Sequence, residues 1–423
     1  MFNASSLEKK WEAVLDHKDC TPIKDPYKRA TIARLLENTQ IALKEERSAQ
    51  QGFIAESSTT TGNVVGYDPV LISLVRRAMP NIIAYDIAGV QPMTMPTGLI
   101  FAMKSLYKTT KAGQTSGQEA LHFGDGSPRQ NLGPDTAFSG KYTTAEAEAL
   151  DGAYQISTNP SGFGELGFEI VKTAVAAKSR ALRATYTTEL AQDLKAVHGL
   201  DAESELANIL STEILGEINK EIIDGVKAAA ELGGFGASGT FDLVAHSDGR
   251  WSVEKYKGLL MQIERDANGI GLDTRRGKAN IAIVSANVAS AIAAAGMLDY
   301  APALSTSMES DPTGSLFAGT INGKMKVFVN PYTADETVIL GYRGTNVYDA
   351  GVFYCPYVPL TMMRAIGQDD FQPRIGFKTR YGLRANPFVA ADGANSEFGA
   401  AGDNFYFRKF DVTNLIGDFE AAS

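Results

Sequence analysis

The chain is poor in the residues that build covalent or metal-bound frameworks. It has 423 residues but only two cysteines, Cys20 and Cys355, which excludes a disulfide scaffold and a cysteine-based zinc site. Its histidines show no spacing typical of metal ligands; they are His17, His122, His198 and His246. We therefore expect no metal ion and no cofactor.

Long apolar runs and catalytic motifs are also missing. No stretch approaches the ~18 apolar residues of a membrane-spanning helix, and the charged N-terminus does not resemble a secretory signal. The sequence contains no nucleophile elbow, phosphate-binding loop or zinc-protease motif. We expect a chain without catalytic residues and without a membrane partner.

Two weak motifs have ordinary explanations. Gly162 to Gly167 match the pattern G-x-G-x-x-G, but no strand precedes them, so a loop is favoured over a dinucleotide site. Glu217, Glu221 and Asp224 share one face of a predicted helix, as in half of a metal site, but no histidine follows at Glu-x-x-His spacing. We interpret these acids as a solvated helix face.

The balance of charge argues against a nucleic-acid binder. The 40 basic and 49 acidic residues give a formal net charge of −9, whereas nucleic-acid binders carry a basic face. A small basic patch in a glycine-rich loop is compatible with a phosphate contact, but such patches are common; it consists of Arg275, Arg276 and Lys278. With 44% apolar residues, the chain is long enough to fill more than one core.

Residues 1–56 form a distinct unit with nine basic and nine acidic residues. Apolar spacing predicts helices over Ser6–Asp19 and Tyr27–Arg47, separated by two prolines. This pair has little chance of an independent core, so we expect a helical arm that needs a partner. A Ser/Thr-rich linker at 57–63 follows, and then a helix at Val70–Met79.

The next part is predicted to contain an extended arm followed by long helices. A strand at Leu99–Met103, a glycine-rich loop and a return strand at Asp135–Tyr142 would form a hairpin that cannot bury both faces on its own chain. Helices are predicted over Phe168–Gly199, with Gly199 as the C-terminal cap, and from Asp201 onward.

From Gly249 onward the pattern is mixed. Helices are predicted over Trp251–Arg265 and Asn287–Ala295, whereas the Ala/Gly/Asn-rich tail at 390–404 is expected to be loose. Two of the predicted strands flank a turn at Asn330–Pro331. The strands are Asn280–Val284, Lys326–Val329, Thr337–Tyr342, Val352–Cys355 and Phe377–Leu383. Large cores, a detachable arm and no catalytic site suit a structural protein that assembles.

Many segments, in their order along the chain, resemble the major capsid protein family of T-even-type contractile-tailed phages. The similarity covers roughly residues 60–390, and the combination of segments is specific although no single one is. The segments are Asp68–Val70, Leu74–Asn81, Ala88–Met93, Pro96–Ala102, Phe168–Ile170, Ala177–Arg180, Tyr186, Glu189–Gly199, Phe317–Gly319, Asp349–Gly351, Pro356–Val358, Phe371–Pro373 and Gly376–Gly382.

The resemblance implies the α+β fold shared by the shells of tailed phages and herpesviruses. Its parts would be a helical N-terminal arm or propeptide (1–56), the first segment of the mature chain (57–96), an extended hairpin arm (97–142), a peripheral domain with a long spine helix (143–250), an axial domain (251–360), and a return to the peripheral domain with a C-terminal tail (361–423). Members also carry an inserted domain after the hairpin arm. Here only about twenty residues separate Lys141 from Gly162, too few for an independent domain.

Precursors in this family lose their N-terminal arm to a phage protease that cuts after the pattern aliphatic residue, any residue, Glu. Ile54-Ala55-Glu56 matches this pattern, and Ser57 follows. The triplet lies between the charged helices and the linker, where chains are readily cut. We predict a processing site at Ile54, Glu56 and Ser57, with cleavage after Glu56.

The resemblance implies a structural protein, not an enzyme. It would self-assemble as hexameric capsomers into the icosahedral head of a tailed phage, in the virion and, during assembly, in the host cytoplasm. The implied partners are other copies, a vertex protein, a portal, scaffold or core proteins, a prohead protease and decoration proteins, with double-stranded DNA enclosed without sequence-specific binding. The alternatives are a pentameric vertex protein of the same phage class, an encapsulin-type compartment shell and an enzyme of unrecognised type.

Overall fold

The computed structural model confirms a mixed α+β chain. It describes residues 4–16, 23, 25–51, 82–107, 166–199, 201–247, 252–274, 276–296, 298–300, 316–333, 335–346, 348–366, 372–387, 389 and 397–415. The helices are α1 (Ala4–Leu15), α2 (Pro26–Gln51), α3 (Ala84–Ile87), α4 (Thr188–Val197), α5 (Ala202–Ala229), α6 (Ser252–Thr274) and α7 (Ala286–Ala294). The predicted helix at Val70–Met79 and the predicted strand at Asp135–Tyr142 lie outside the described residues.

The strands are short in the middle of the chain and long near its end. They are β1 (Gly89–Val90), β2 (Thr97–Tyr107), β3 (Leu166–Ala176), β4 (Lys178–Thr185), β5 (Ala230–Leu232), β6 (Thr240–Asp242), β7 (Ile281–Ser285), β8 (Leu298–Tyr300), β9 (Leu316–Ile321), β10 (Met325–Asn330), β11 (Thr337–Gly341), β12 (Val352–Ile366), β13 (Pro373–Ala385) and β14 (Asn404–Thr413).

One sheet has four strands in the order β1–β12–β13–β4. β12 and β13 are antiparallel, with Tyr354 opposite Leu383. β4 adds antiparallel to β13, and β1 adds parallel to β12. Because side chains alternate along a strand, Ile375, Phe377 and Tyr381 of β13 point to the same face, where they are buried in one apolar core.

Helices cover that face of the four-stranded sheet. α5 packs on β4 and β13, and its buried residues Leu210, Ile214, Ile218 and Ile222 recur every four positions, as in an amphipathic helix. α2 packs on β12, and α1 packs on α2. Residues of all three helices belong to the same core.

A second sheet has eight strands. Seven follow the order β5–β14–β11–β7–β10–β9–β8, and β6 pairs with β14. The central strands β7 and β11 are buried along their whole length, which explains their continuous apolar sequences. α6 and α7 pack on one face, and residues of α3 and the end of α5 lie in the core on the other face.

β2 and β3 form a separate two-stranded antiparallel ribbon, in which Thr97 is opposite Ala176 and Tyr107 is opposite Leu166. The strand predicted at Leu99–Met103 is therefore confirmed and longer than predicted. Its partner is β3, a pairing that the sequence did not suggest.

The helix predicted over Phe168–Gly199 is wrong in its first half. Residues of this range form β3 and β4, and only Thr188–Val197 are helical. Val171 and Val175 lie four positions apart, and four is also a multiple of the two-residue strand period, so their spacing fits both structures. Gly199 follows the helix with φ +68°, as predicted for a cap glycine.

The later predictions are largely confirmed, with shifted ends. α6 continues to Thr274, beyond the predicted Arg265. β10 and β11 flank Asn330–Pro331, but they do not pair, because β7 lies between them. β14 was missed; it begins at Asn404, at the end of the segment predicted to be loose.

Candidate assembly surfaces

The helical arm formed by α1 and α2 is built into the core of its own chain. Its apolar residues at helical spacing are at most 5% exposed; they are Trp11, Leu15, Ile32, Ala33, Leu35 and Leu36. They share a core with residues of α3, β1 and the four-stranded sheet, which include Tyr85, Val90, Tyr354 and Leu360. The partner that the arm was predicted to need is thus supplied within the chain.

Two side chains of α2 anchor the arm by hydrogen bonds to backbone carbonyls. The Asn38 amide Nδ2 donates to the carbonyls of Met93 and Tyr357, both at 2.8 Å. The Tyr27 hydroxyl donates to the carbonyl of Val90. Burial raises the pKa of Tyr27 to about 12, so the hydroxyl stays protonated and able to donate at pH values at which an ordinary tyrosine ionises.

Neither anchor was predicted from the sequence. The only available signal was the position of Asn38, three residues after Leu35 on the apolar stripe of α2. A polar residue at such a position needs a hydrogen-bond partner when buried. The sequence could not reveal that partner, because Tyr357 is 319 positions away.

Charged pairs connect α1 to α2. Lys10 Nζ lies 2.6 Å from a Glu37 carboxylate oxygen, which also accepts a 3.2 Å hydrogen bond from the Trp11 indole. Arg29 donates two 2.7 Å hydrogen bonds to Asp16. These contacts join the two helices into one unit, although each pair is partly exposed and contributes little alone.

The predicted processing residues Ile54, Glu56 and Ser57 lie outside the described residues. The last described residue before them is Gln51, where α2 ends. The processing site therefore stays a prediction.

The β2–β3 ribbon presents an apolar face to solvent. Leu99 and Phe101 of β2 are 46% and 54% exposed, and Phe168 and Ile170 of β3 are 79% and 71% exposed. The strand register places all four on one face, because Leu99 is opposite Ala174 and Phe101 is opposite Lys172. An exposed apolar face of this kind is typical of a protein–protein contact.

The end of the ribbon that contains Ile100 and Val175, here called its base, is held on the face of the four-stranded sheet opposite the helices. Ile100 and Val175 pack there against Phe353 and Cys355. The thiol of Cys355 is buried, and burial raises its pKa to about 12, so it is not poised as a nucleophile. Cys355 therefore acts as a core residue that helps to orient the ribbon.

Another part of the four-stranded sheet is open to solvent. A groove of about 540 Å³ lies over β4, β12 and β13. Met363 and Ile366, which line it, are exposed. Arg183 and Arg374 also line the groove and add positive charge, and Gly376 leaves space within it. This groove is a further candidate for contact between subunits.

Two of the three acids singled out in α5, Glu217 and Glu221, are ion-paired rather than simply solvated, which corrects the earlier interpretation for them. Arg180 of β4 donates to Glu217 at 2.8 Å and to Glu221 at 2.7 Å. The Tyr381 hydroxyl also donates to Glu221, and burial raises the pKa of Tyr381 well above the usual range of a tyrosine. These contacts fasten α5 to the four-stranded sheet, whereas Asp224 is exposed, as the solvated-face interpretation predicted.

The basic patch is likewise paired where it is described. Arg276 lies 2.7 Å from Asp349, and Lys278 lies 2.9 Å from Glu264. Lys278 holds the pKa of the Glu264 carboxyl below its usual value. Arg275 lies outside the described residues. The paired charges offer little support for the phosphate contact.

The remaining motifs do not form a catalytic or metal site in the part of the chain that the structure describes. Leu166 and Gly167, the end of the G-x-G-x-x-G match, begin strand β3 instead of a helix, and the rest of the match is not described. His246 accepts a hydrogen bond from the Asp242 backbone and stacks on Phe235. Within the described ranges, no group of three potential ligands could hold a metal ion. No described helix is long and apolar enough to cross a membrane.

Comparison with known proteins identifies the family. The sequence pattern of a family described as major capsid protein Gp23 matches residues 64–412. The chain belongs to this family of major capsid proteins. Membership makes it a structural component of a tailed-phage head, and it confirms the expectation that the chain is not an enzyme. Capsid proteins assemble into multimeric lattices, so the surfaces described above are candidates for contacts between copies.

Relatives extend over nearly the whole chain. A major capsid protein of Serratia phage KSP90 is 40% identical over 411 residues and covers 90% of this chain and 92% of the relative. That of Enterobacteria phage T4 is 33% identical over 524 residues and covers 97% of this chain and 99% of the relative. Since the second alignment is longer than the 423 residues here, the T4 protein contains residues without a counterpart, which supports the interpretation that this chain lacks an inserted segment.

The vertex protein is a weaker match. The capsid vertex protein of Enterobacteria phage T4 is 27% identical over 399 residues and covers 80% of this chain. Both values are lower than those for the major capsid protein of the same phage, so the vertex alternative is not favoured.

Solved structures give a distant likeness only. A chain from the capsid of Myoviridae Phage XM1 has a TM-score of 0.42 and 8% identity, and the match covers 78% of this chain and 92% of that one. A chain from the capsid of an empty GTA particle has a TM-score of 0.36 and 11% identity, with coverage of 86% and 97%.

Proposed function

We propose that this chain, as a major capsid protein, self-assembles as hexameric capsomers into an icosahedral head that encloses double-stranded DNA. The observation that supports the proposal is the exposed apolar face of the β2–β3 ribbon. Within the described residues Phe168 and Ile170 are left uncovered, and a two-stranded ribbon is only marginally stable alone, so the proposal has a second copy cover them. In a closed ring each ribbon would contact the next subunit by a heterologous contact.

Residues 97–142 would contribute to this arm together with β3. The peripheral domain would comprise 143–250 and 361–423, and the axial domain 251–360; β12 crosses the second boundary, and β14 of the C-terminal part pairs with β11 of the eight-stranded sheet. The net charge of −9 suits a container from which packaged DNA can be released, because a strongly basic lining would bind phosphates tightly.

Maturation would include cleavage after Glu56, which separates residues 1–56 from the shell-forming chain. A prohead protease and scaffold or core proteins are the proposed partners of these residues in the host cytoplasm. A vertex protein, a portal and decoration proteins are proposed as partners of the assembled head.

The experiment is electron cryomicroscopy of particles formed by the parent chain and by the double variant Phe168→Ser, Ile170→Ser. We expect hexameric capsomers from the parent and a folded but unassembled double variant, because the apolar contact is lost. Glu169→Gln, on the opposite face of the same strand, is the control and should assemble. Circular dichroism checks that all three chains are folded.

Two results would contradict the proposal. If the double variant forms the same closed particles as the parent, the ribbon face does not carry assembly. If the parent forms only pentamers, the chain is a vertex protein. Processing is tested separately by the N-terminal residue and the intact mass of chains from purified particles. Cleavage after Glu56 predicts a chain that starts at Ser57.

A further inference from the structure

The edge of the four-stranded sheet is completed by side chains of the N-terminal arm. β1 is the edge strand, and the backbone N–H groups of Gln91 and Met93 bond to carbonyls of β12. The carbonyls of Val90 and Met93 instead accept hydrogen bonds from Tyr27 and Asn38 of the arm. The arm thus occupies the Val90 carbonyl, an acceptor that the edge strand β1 would otherwise offer to another strand, and Asn38 bridges the segment after β1 to β12.

The arm also covers an apolar surface beside that edge. Ile32, Leu35 and Leu36 are at most 1% exposed, and they share a core with Val90 and Tyr354. Lys28 adds a partly exposed ion pair, 3.6 Å from Asp86 of α3. Apolar burial, carbonyl acceptors and a charge at the margin together make a specific binding surface for a two-helix segment.

None of these contacts depends on the peptide bond at the predicted processing site. Among the described residues, those of the arm that make these contacts lie between Trp11 and Asn38, and their partners elsewhere in the chain lie at Ile82 and beyond. A cut after Glu56 falls between the two groups, so it removes the covalent connection and leaves the contact surface intact.

We propose that the chain from Ile82 onward is a binding site for residues 4–51, which remain bound as a noncovalent ligand after the chain is cut. Cleavage then does not by itself uncover the sheet edge, and a second event must remove the arm. The inference deepens the proposed maturation. Only the role of the bound arm in assembly rests on that proposal, because the binding surface exists in the folded chain whether or not the chain is cut.

The test uses the full-length, unassembled chain with the recognition sequence of a sequence-specific protease inserted between Glu56 and Ser57. After cutting, the sample is passed over a size-exclusion column, and each fraction is analysed by intact mass. We expect the 1–56 fragment to elute with the larger fragment at equal molar amounts. A fragment that elutes alone from the unsubstituted chain overturns the inference.

Three variants locate the binding surface. Leu36→Ala and Asn38→Ala should each increase the rate of fragment loss about tenfold or more, because one opens a cavity and the other leaves buried carbonyls unpaired. Ile41→Ala is the matched control, since Ile41 is 47% exposed on the same helix. If all three variants retain the fragment equally, other contacts hold it and the assigned surface is wrong. A chain that starts at Met1 in natural particles would contradict the proposed processing but not this binding.

Discussion

Asn38 donates a 2.8 Å hydrogen bond to the carbonyl of Tyr357, although 319 positions separate the two residues. The same side-chain amide reaches the carbonyl of Met93 at 2.8 Å. One buried amide therefore joins the N-terminal arm to both the strand β12 and the segment after β1. Residues that were expected to form a detachable arm contribute to the central core of the uncut chain.

Replacing Asn38 by Ala should lower the free energy of unfolding of the full chain by about 1–3 kcal/mol, because it leaves buried carbonyls without a donor. Urea unfolding followed by circular dichroism measures the change. Gln40→Ala is the control; Gln40 lies on the same helix and accepts a hydrogen bond from Lys10 at an exposed position. Equal losses in the two variants would show that the Asn38 bonds do not anchor the arm.

Processing should depend on Glu56 and not on Glu45, although Leu43-Lys44-Glu45 has the same pattern as Ile54-Ala55-Glu56. Glu45 lies within α2, which continues to Gln51, and a protease needs its substrate in an extended form. Glu56→Ala should therefore yield particles whose chains start at Met1, and Glu45→Ala should leave the start at Ser57. Intact mass distinguishes these products, and cleavage after Glu45 would contradict the argument.

Local sequence patterns predicted an element correctly where the spacing of its apolar residues fits only one kind of secondary structure. In α5 the apolar residues recur at odd as well as even steps, such as the three positions from Leu215 to Ile218, which fits a helix and not an alternating strand, and the helix was predicted. Val171 and Val175 fit both periods, and there the prediction failed. The sequence also could not show which distant strands pair.

The candidate surfaces were predictable to a lesser degree. The exposed ribbon was expected in outline, because a glycine-rich hairpin lacks enough apolar surface to cover itself, but β3 as its second strand was not. The pairs between Arg180 and the acids of α5 were also missed, since they join residues that are 37 and 41 positions apart. Such contacts arise from tertiary packing, which local propensity does not encode.

Arg180→Met should loosen α5 from the four-stranded sheet. The guanidinium binds Glu217 and Glu221, and its removal leaves two acids without their shared cation. We expect a loss of about 1–2 kcal/mol in the free energy of unfolding, a modest value because the charges are partly exposed. Lys227→Met is the control, since its partner Asp335 is 71% exposed, and it should cost clearly less than Arg180→Met. Similar losses in both variants would contradict a special role for Arg180.

Two glycines of β13 should respond differently to alanine. A Cβ atom at Gly382 would lie 2.5 Å from Val175 Cγ1 and 2.9 Å from the Ala176 carbonyl, so it would displace the base of the ribbon. A Cβ atom at Gly376 would meet only the Leu182 carbonyl, at 3.7 Å. Gly382→Ala should lower the free energy of unfolding by about 1–3 kcal/mol. Gly376→Ala should leave it unchanged or raise it slightly.

Urea unfolding of the two glycine variants gives the comparison directly. Assembly gives a second measurement, because a displaced ribbon should also reduce particle formation by the Gly382 variant. A stable Gly382→Ala chain that assembles normally would show that the ribbon base tolerates a shift, and the close contact would then not fix the orientation of the ribbon.

Asp266 should make the folded chain less stable as the pH rises. This carboxyl is 4% exposed and accepts hydrogen bonds from the Gly234 backbone and the Gln262 amide. Burial raises its pKa above the ordinary 3.8. Between the two pKa values the folded state holds a proton that the unfolded state has lost, so the free energy of unfolding decreases with increasing pH across that interval.

Asp266→Asn has no proton to lose and keeps an acceptor for the Gly234 N–H group. The free energy of unfolding of this variant, relative to the parent, should increase as the pH rises from the unfolded-state to the folded-state pKa of Asp266. Above the folded-state pKa the difference should stay constant. Asp335→Asn should show the opposite trend, because Lys227 lowers the pKa of Asp335 and the parent loses that stabilisation as the pH falls through the lowered pKa. Urea unfolding between about pH 3 and 7 measures both trends. A difference between the parent and Asp266→Asn that does not change with pH would show that burial does not perturb this carboxyl.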